Sequence, residues 1–141
     1  MIAYTDSSIV LPQITRTSTL SVPWQAYESV CTSQILSVEL RRTCYRMHLD
    51  HVMDDEALAA AITRIARFEA AIDLVEIDVA VLERAAQPMP TALKTLDALH
   101  VATAWLYRER VSRDLVFLTA DRQQAMAVRV LGLEVEFLPA P

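Results

Sequence analysis

Glycine is nearly absent: Gly132 is the only one in 141 residues. A loop that cradles phosphate needs several glycines, because only a bare backbone can approach the anion closely. Walker-type and dinucleotide-binding motifs are therefore excluded. Lysine is equally scarce, with Lys94 standing alone. The two cysteines, Cys31 and Cys44, have no metal-ligand spacing to each other or to His48 and His51. They read as buried reduced thiols, and those histidines as solvated residues of a helix end. No apolar run approaches the roughly 18 residues that span a bilayer. The opening "MIAYTD" lacks a basic segment and soon meets Asp6, which argues against a cleaved signal peptide. Together these absences predict a cytoplasmic protein without a membrane partner. The net charge is −5, and a non-specific nucleic-acid binder usually shows a basic face instead. An excess of acid still suits an enzyme that holds divalent cations, because bound metal reverses the local field.

What is present is apolar. Hydrophobic residues make up 53% of a chain of single-domain length, enough to bury a real core, and the expectation is one domain over residues 1–141. The candidate breaks, Leu11 to Pro23 and Gln87 to Thr91, are short enough to be loops. The elements alternate. "IAYT" reads as a short buried strand, and a helix is predicted around Trp24 to Val30, followed by a weak strand end at "CTSQ". Leu36 to Leu49 predicts a helix with Leu36, Leu40, Cys44 and Met47 on one face. "DDEALAAAITRIARFEAAI" opens with acids, as a helix N-terminus prefers. "LVEIDV" alternates as a strand should, and "AVLERAA" is a short helix. A further helix follows Pro90, "LVFLT" has the continuous apolar run of a central parallel strand, "RQQAMAVRVL" is a helix stopped by Gly132, and "EVEFL" is the last strand. Strands alternating with helices predict an α/β fold: a central parallel sheet with helices on both faces and right-handed crossovers.

Four acids stand out against this pattern. Asp6 falls one residue past the first strand and Asp121 two residues past "LVFLT". Ligands of open α/β sheets bind at the carboxyl ends of strands, where the strand order reverses. If the first and fourth strands are neighbours there, Asp6 and Asp121 converge. Glu39, in "SVEL", and Asp97, in "TLDALHVA", are embedded among apolar residues. Each acid has a plainer reading: Asp6 and Asp121 as caps, Glu39 as a solvated helix residue, Asp97 as a partner of the helix dipole. Taken together these weaken, because a half-buried carboxylate is costly unless paired or bound to metal, and crowded carboxylates need a counter-charge. His100, one turn past Asp97, reads as a buried, hydrogen-bonded packing residue. Oxygen ligands suit Mg²⁺ or Mn²⁺ better than imidazole does.

Four stretches in this order carry a resemblance to a known family: "YTDSSIV", "TSQILSVELRR", "PMPTALKTLDALHVATA" and "FLTADRQQAMAVRVLGLEV". The chain resembles the PIN-domain family, and within it the VapC-like ribonuclease toxins of bacterial toxin–antitoxin pairs. The resemblance implies a three-layer α/β/α sandwich with the four acids at one end. It implies Asp6, Glu39, Asp97 and Asp121 as the catalytic, metal-holding set, with Ser7 and Thr119 behind them, and it also implies an antitoxin protein partner and homodimerisation. The expected chemistry is hydrolysis of RNA phosphodiesters with Mg²⁺ or Mn²⁺, leaving a 5′-phosphate, with Arg41, Arg42 and Arg122 on the RNA backbone. One departure concerns the further acid that many relatives carry after the last aspartate. Gln123 and Gln124 occupy that region, which counts against a second tightly held ion.

Two other classes are open to the same scaffold. One is a binding module with idle acids, discriminated by its indifference to Mn²⁺. The other is a phosphatase or phospho-acceptor receiver. A haloacid-type phosphatase needs a second aspartate where Ser8 stands. A receiver needs a lysine after a late strand, and the only one is Lys94.

Overall fold

The computed structural model describes residues 1–139. Strands and helices alternate: β1 (Ile2–Thr5), α1 (Ser7–Thr15), β2 (Ser29–Ser33), α2 (Ile35–Leu49), α3 (Asp55–Ala70), β3 (Asp73–Val75), α4 (Val79–Ala85), α5 (Thr95–Arg110), β4 (Leu115–Thr119), α6 (Arg122–Val130) and β5 (Glu134–Phe137). The five strands form one parallel sheet in the order β3-β2-β1-β4-β5. The chain therefore runs outward from β1 through β2 to β3, crosses back, and continues through β4 to β5. The reversal falls between β1 and β4, which pair from Ile2 with Leu115 to Thr5 with Leu118.

Side-chain alternation along the strands divides the core in two. Tyr4, Cys31, Leu115 and Phe117 face one way and pack with Val101 and Ala104 of α5 and Val128 of α6. Ala3, Val116 and Leu118 face the other way and meet Ile9 of α1 together with Val22. Beyond α1, the stripe Leu36, Leu40 and Cys44 of α2 locks onto Ala61 and Ile65 of α3 and Val10 and Ile14 of α1. The spacing of four residues puts that stripe on one helix face. The result is a three-layer α/β/α sandwich, with helices that follow the outward run on one face and helices that follow the return on the other, as right-handed crossovers require. Cys31 and Cys44 are free and buried, and burial pushes the Cys31 thiol up to about 12.

Two expectations fail near the N-terminus. The sequence predicts a loop from Leu11 and a helix over Trp24 to Val30. In the structure Ser7–Thr15 is helical, with Pro12 inside it, while Trp24–Ala26 makes only one 3₁₀ turn and β2 begins at Ser29. Pro12 and the flanking hydroxyl residues carry weak helix propensity, and tertiary packing of Ile9, Val10 and Ile14 overrides it. The strand predicted over "LVEIDV" is shorter, ending at Val75, because Asp78 caps α4 by accepting the Val81 N–H. The helix end at Gly132 holds: Gly132 has φ 79°, and the N–H of Leu133 returns to the Val128 carbonyl.

Candidate metal centre

Asp6 leaves β1 at the carboxyl end of the sheet and is 2% exposed. It occupies the N-cap position of α1, yet its side chain makes no capping hydrogen bond. Oδ1 instead accepts from the Ser8 hydroxyl at 2.7 Å and Oδ2 from the Thr119 hydroxyl at 3.3 Å. The capping explanation for this acid therefore fails. Burial pushes its carboxyl up to about 6 from 3.8; the charge of His100 and the Ser8 and Thr119 hydroxyls oppose the shift, and the Glu39 charge adds to it. That shift corresponds to about 3 kcal/mol against the ionised form at neutral pH. Among the described residues no guanidinium or ammonium pairs with it.

Glu39 reaches the same edge from the second turn of α2, with its side chain 11% exposed. Its Oε1 accepts from the Ser7 hydroxyl at 3.2 Å, and its Oε2 lies 2.6 Å from Nε2 of His100. Asp97, in the first turn of α5, is half-buried. Burial raises its carboxyl above the ordinary range, and the charges of Asp121 and Glu39 add to the effect. His100 pulls the other way, and Lys94, three residues earlier, does so most weakly. Asp121 does cap a helix: its Oδ1 accepts the Gln124 N–H at 2.8 Å, which leaves Oδ2 outside that bond.

The charge of Glu39 thus reaches both Asp6 and Asp97, and that of Asp121 reaches Asp97, which links the four acids along one edge. Among the described residues no three Asp, Glu, His or Cys side chains stand at a common ligating distance. The donor set nevertheless fits a hard divalent cation, since every member offers carboxylate oxygen and no lysine or arginine among the described residues pairs with any of them, the one basic partner being the His100 ring on Glu39. Contact partly through water suits Mg²⁺, which dehydrates reluctantly.

The sequence model of the PIN domain matches residues 3–128. The chain belongs to the PIN-domain family. Solved structures with the same fold include PAE2754 from Pyrobaculum aerophilum, with TM-score 0.62 and 18% identity over 96% of this chain and 83% of that one. VapBC-1 from nontypeable Haemophilus influenzae matches with TM-score 0.58 and 15% identity over 97% of this chain and 98% of that one. VapBC-5 from Mycobacterium tuberculosis, a member of the VapBC family of toxin–antitoxin systems, matches with TM-score 0.60 and 15% identity over 98% of each chain. No curated protein matches the sequence significantly.

Several residues of this PIN domain are placed where the sequence alone did not put them. Ser8, not only Ser7, serves the site: besides Asp6 it contacts Thr119 and accepts the Ala120 N–H at 2.8 Å, tying β1 to β4. The signal was the repeated hydroxyl after Asp6. Gln124 is fully buried, and its Oε1 lies 2.8 Å from the Thr119 hydroxyl while its amide nitrogen has no partner. A half-turn of that amide would let the nitrogen donate to Thr119 and free the threonine proton for Asp6. Arg41 is engaged elsewhere, in a bidentate pair with Glu69 that includes an Nη2–Oε2 bond of 2.8 Å. Arg42 and Arg46 instead line a cleft of about 410 Å³ beside Ser7, Glu39 and Leu96. Arg46 follows Arg42 by one helical turn, a spacing visible in the sequence. Arg122 opens α6 beside Asp121 and is exposed.

Proposed function

We propose that this PIN domain is a Mg²⁺- or Mn²⁺-dependent endoribonuclease and the toxin of a toxin–antitoxin pair, acting in the cytoplasm as a homodimer that a protein antitoxin restrains. The observation that supports the reading is a buried Asp6 at the β1–β4 reversal, held by hydroxyl donors alone, with the charges of Glu39 acting on Asp6 and of Glu39 and Asp121 acting on Asp97. The toxin role is supported by membership of the PIN family and by the fold shared with VapBC-5. Among the described residues no helix is long and apolar enough to cross a membrane.

In this reading Asp6, Glu39, Asp97 and Asp121 would hold the cation, which would supply a more acidic bound water and charge stabilisation at the phosphate. Ser8 and Thr119 fix Asp6 by one donor on each oxygen, so its carboxylate is oriented before substrate arrives. Arg42 and Arg46 supply positive charge along the cleft that leads to Glu39, where an RNA backbone phosphate would lie. Their guanidinium forks match phosphate oxygens.

The test is Asp97→Asn, with folding checked by circular dichroism. Cleavage of RNA in Mn²⁺ should fall by more than about 100-fold, beyond what loss of an indirect metal contact costs. Undiminished cleavage by the folded variant would sink the proposal. A second reading, a PIN scaffold that binds without catalysis, draws on the lack of a preformed three-ligand cluster among the described residues. Titration with Mn²⁺ separates the two: at a hundredfold excess over the dissociation constant, a binding site stabilises the fold by about 2.7 kcal/mol. An unchanged melting temperature at every concentration favours the scaffold.

A further inference from the structure

Behind Glu39 lies a buried chain of hydrogen bonds that joins β2, β1 and α5 to α2. Tyr4 of β1 and His100 of α5 are both fully buried. The Tyr4 hydroxyl accepts the Ser33 N–H at 3.1 Å and lies 2.9 Å from Nδ1 of His100. Nε2 of the same ring lies 2.6 Å from Glu39 Oε2. An ionised carboxylate only accepts, so Nε2 carries a proton and donates it, whichever way the Tyr4 hydroxyl points. The other oxygen of Glu39 takes the Ser7 hydroxyl. Each oxygen is held by one donor and keeps a further lone pair for a cation or its water.

A residue that only filled space here would have no need of this geometry. Val101 and Ala104 beside His100 complete the apolar core, and a leucine at position 100 would extend it with no polar group to satisfy. A buried imidazole is tolerated because both ring nitrogens are matched. Its matched partner on the outer side is a member of the four-acid rim, 61 residues away in the chain.

We propose that His100, backed by Tyr4, is a positioning residue that with Ser7 sets the direction in which Glu39 presents its carboxylate to a divalent cation. The inference rests on the four-acid reading given above. Partners of metal ligands typically contribute about 10–100-fold in affinity.

The experiment measures Mn²⁺ binding by the full chain with calorimetry, alongside metal-free melting temperatures. His100→Leu keeps the apolar volume and removes the N–H; its Mn²⁺ affinity should fall roughly 10–100-fold. His100→Gln restores an N–H donor and should recover most of that loss. Tyr4→Phe, which removes a single oxygen, should fall between them. Folded His100→Leu binding Mn²⁺ as tightly as the wild type would overturn the proposal, as would His100→Gln binding no better than His100→Leu. Should the leucine variant fail to fold, unchanged affinity in Tyr4→Phe overturns it. A folded wild type that binds no Mn²⁺ is a different result: it defeats the four-acid reading itself, and this inference with it.

Discussion

Glu69 and Asp6 are both carboxylates set against packed helices, and the molecule moves them in opposite directions. At the contact of α2 with α3, Arg41 grips Glu69 with both terminal guanidinium nitrogens, and those hydrogen bonds hold the Glu69 carboxyl below its ordinary range. At the β1–β4 reversal, Asp6 is more deeply buried, receives only hydroxyl donors and is pushed up to about 6. Two residues that differ by one methylene thus meet opposite treatment. Where an acid serves structure, the fold supplies a cation of its own. At Asp6 the fold supplies hydroxyl donors and only the more distant His100 ring as an opposing charge, so ionisation of that buried acid costs stability.

The sharpest way to break this contrast is Asp6→Asn. The amide removes the buried charge, so the metal-free variant should be more stable than the wild type at neutral pH by up to about 3 kcal/mol. Mn²⁺ should then raise the melting temperature of the wild type and leave the variant unmoved. Equal stabilisation of both by Mn²⁺ would show that Asp6 is no part of a cation site. Glu69→Gln should act in the other direction, destabilising by about 1 kcal/mol, since the pair is partly screened by solvent. A stabilised Glu69→Gln variant would erase the contrast.

The pH dependence of stability separates the two acids further. The folded-state pKa of Asp6 lies above its unfolded value. Its contribution is therefore complete below 3.8 and is lost as pH rises through about 6. The folded-state pKa of Glu69 lies below its unfolded value of 4.5. Its contribution is present above 4.5 and is lost as pH falls through the lowered value. Urea denaturation from neutral to mildly acidic pH should show the Asp6→Asn curve converging on the wild type as pH falls. The Glu69→Gln curve should converge only at lower pH. The smallest effect concerns the arginines. Arg46→Ala should lower the slope of log affinity for single-stranded RNA against log salt by about 0.7, one phosphate contact. Arg41→Ala, whose guanidinium is engaged by Glu69, should leave that slope unchanged while costing stability.

Legibility in the sequence follows the same division. The strand "LVFLT" and the α2 stripe could be read because each depends on residues a few positions apart. The acids could be read as a set because two of them fall just past strand ends, where such sheets bind ligands. Helix α1 was hidden, since Pro12 and its hydroxyl neighbours argue locally for a loop. The burial and hydrogen bonding of His100 were legible from its apolar neighbours. Its bond to Glu39 was not, because nothing near position 100 encodes a partner on another helix. Arg41 and Arg42 are adjacent in sequence, but one helical step of 100° sends the first to Glu69 and the second to the cleft.

By itself, then, the order of residues determined the alternation of strands and helices, the parallel sheet, and the positions at which carboxylates leave the strand ends. Those features are periodic or local, and backbone geometry enforces them within a few residues. Only the tertiary structure decided that β1 lies against β4, that Asp6 is sealed among hydroxyls, and that His100 stands between Tyr4 and Glu39. Such contacts join residues 61, 96 and 113 positions apart. They come into being only when packed helices and paired strands bring those distant side chains within bonding reach.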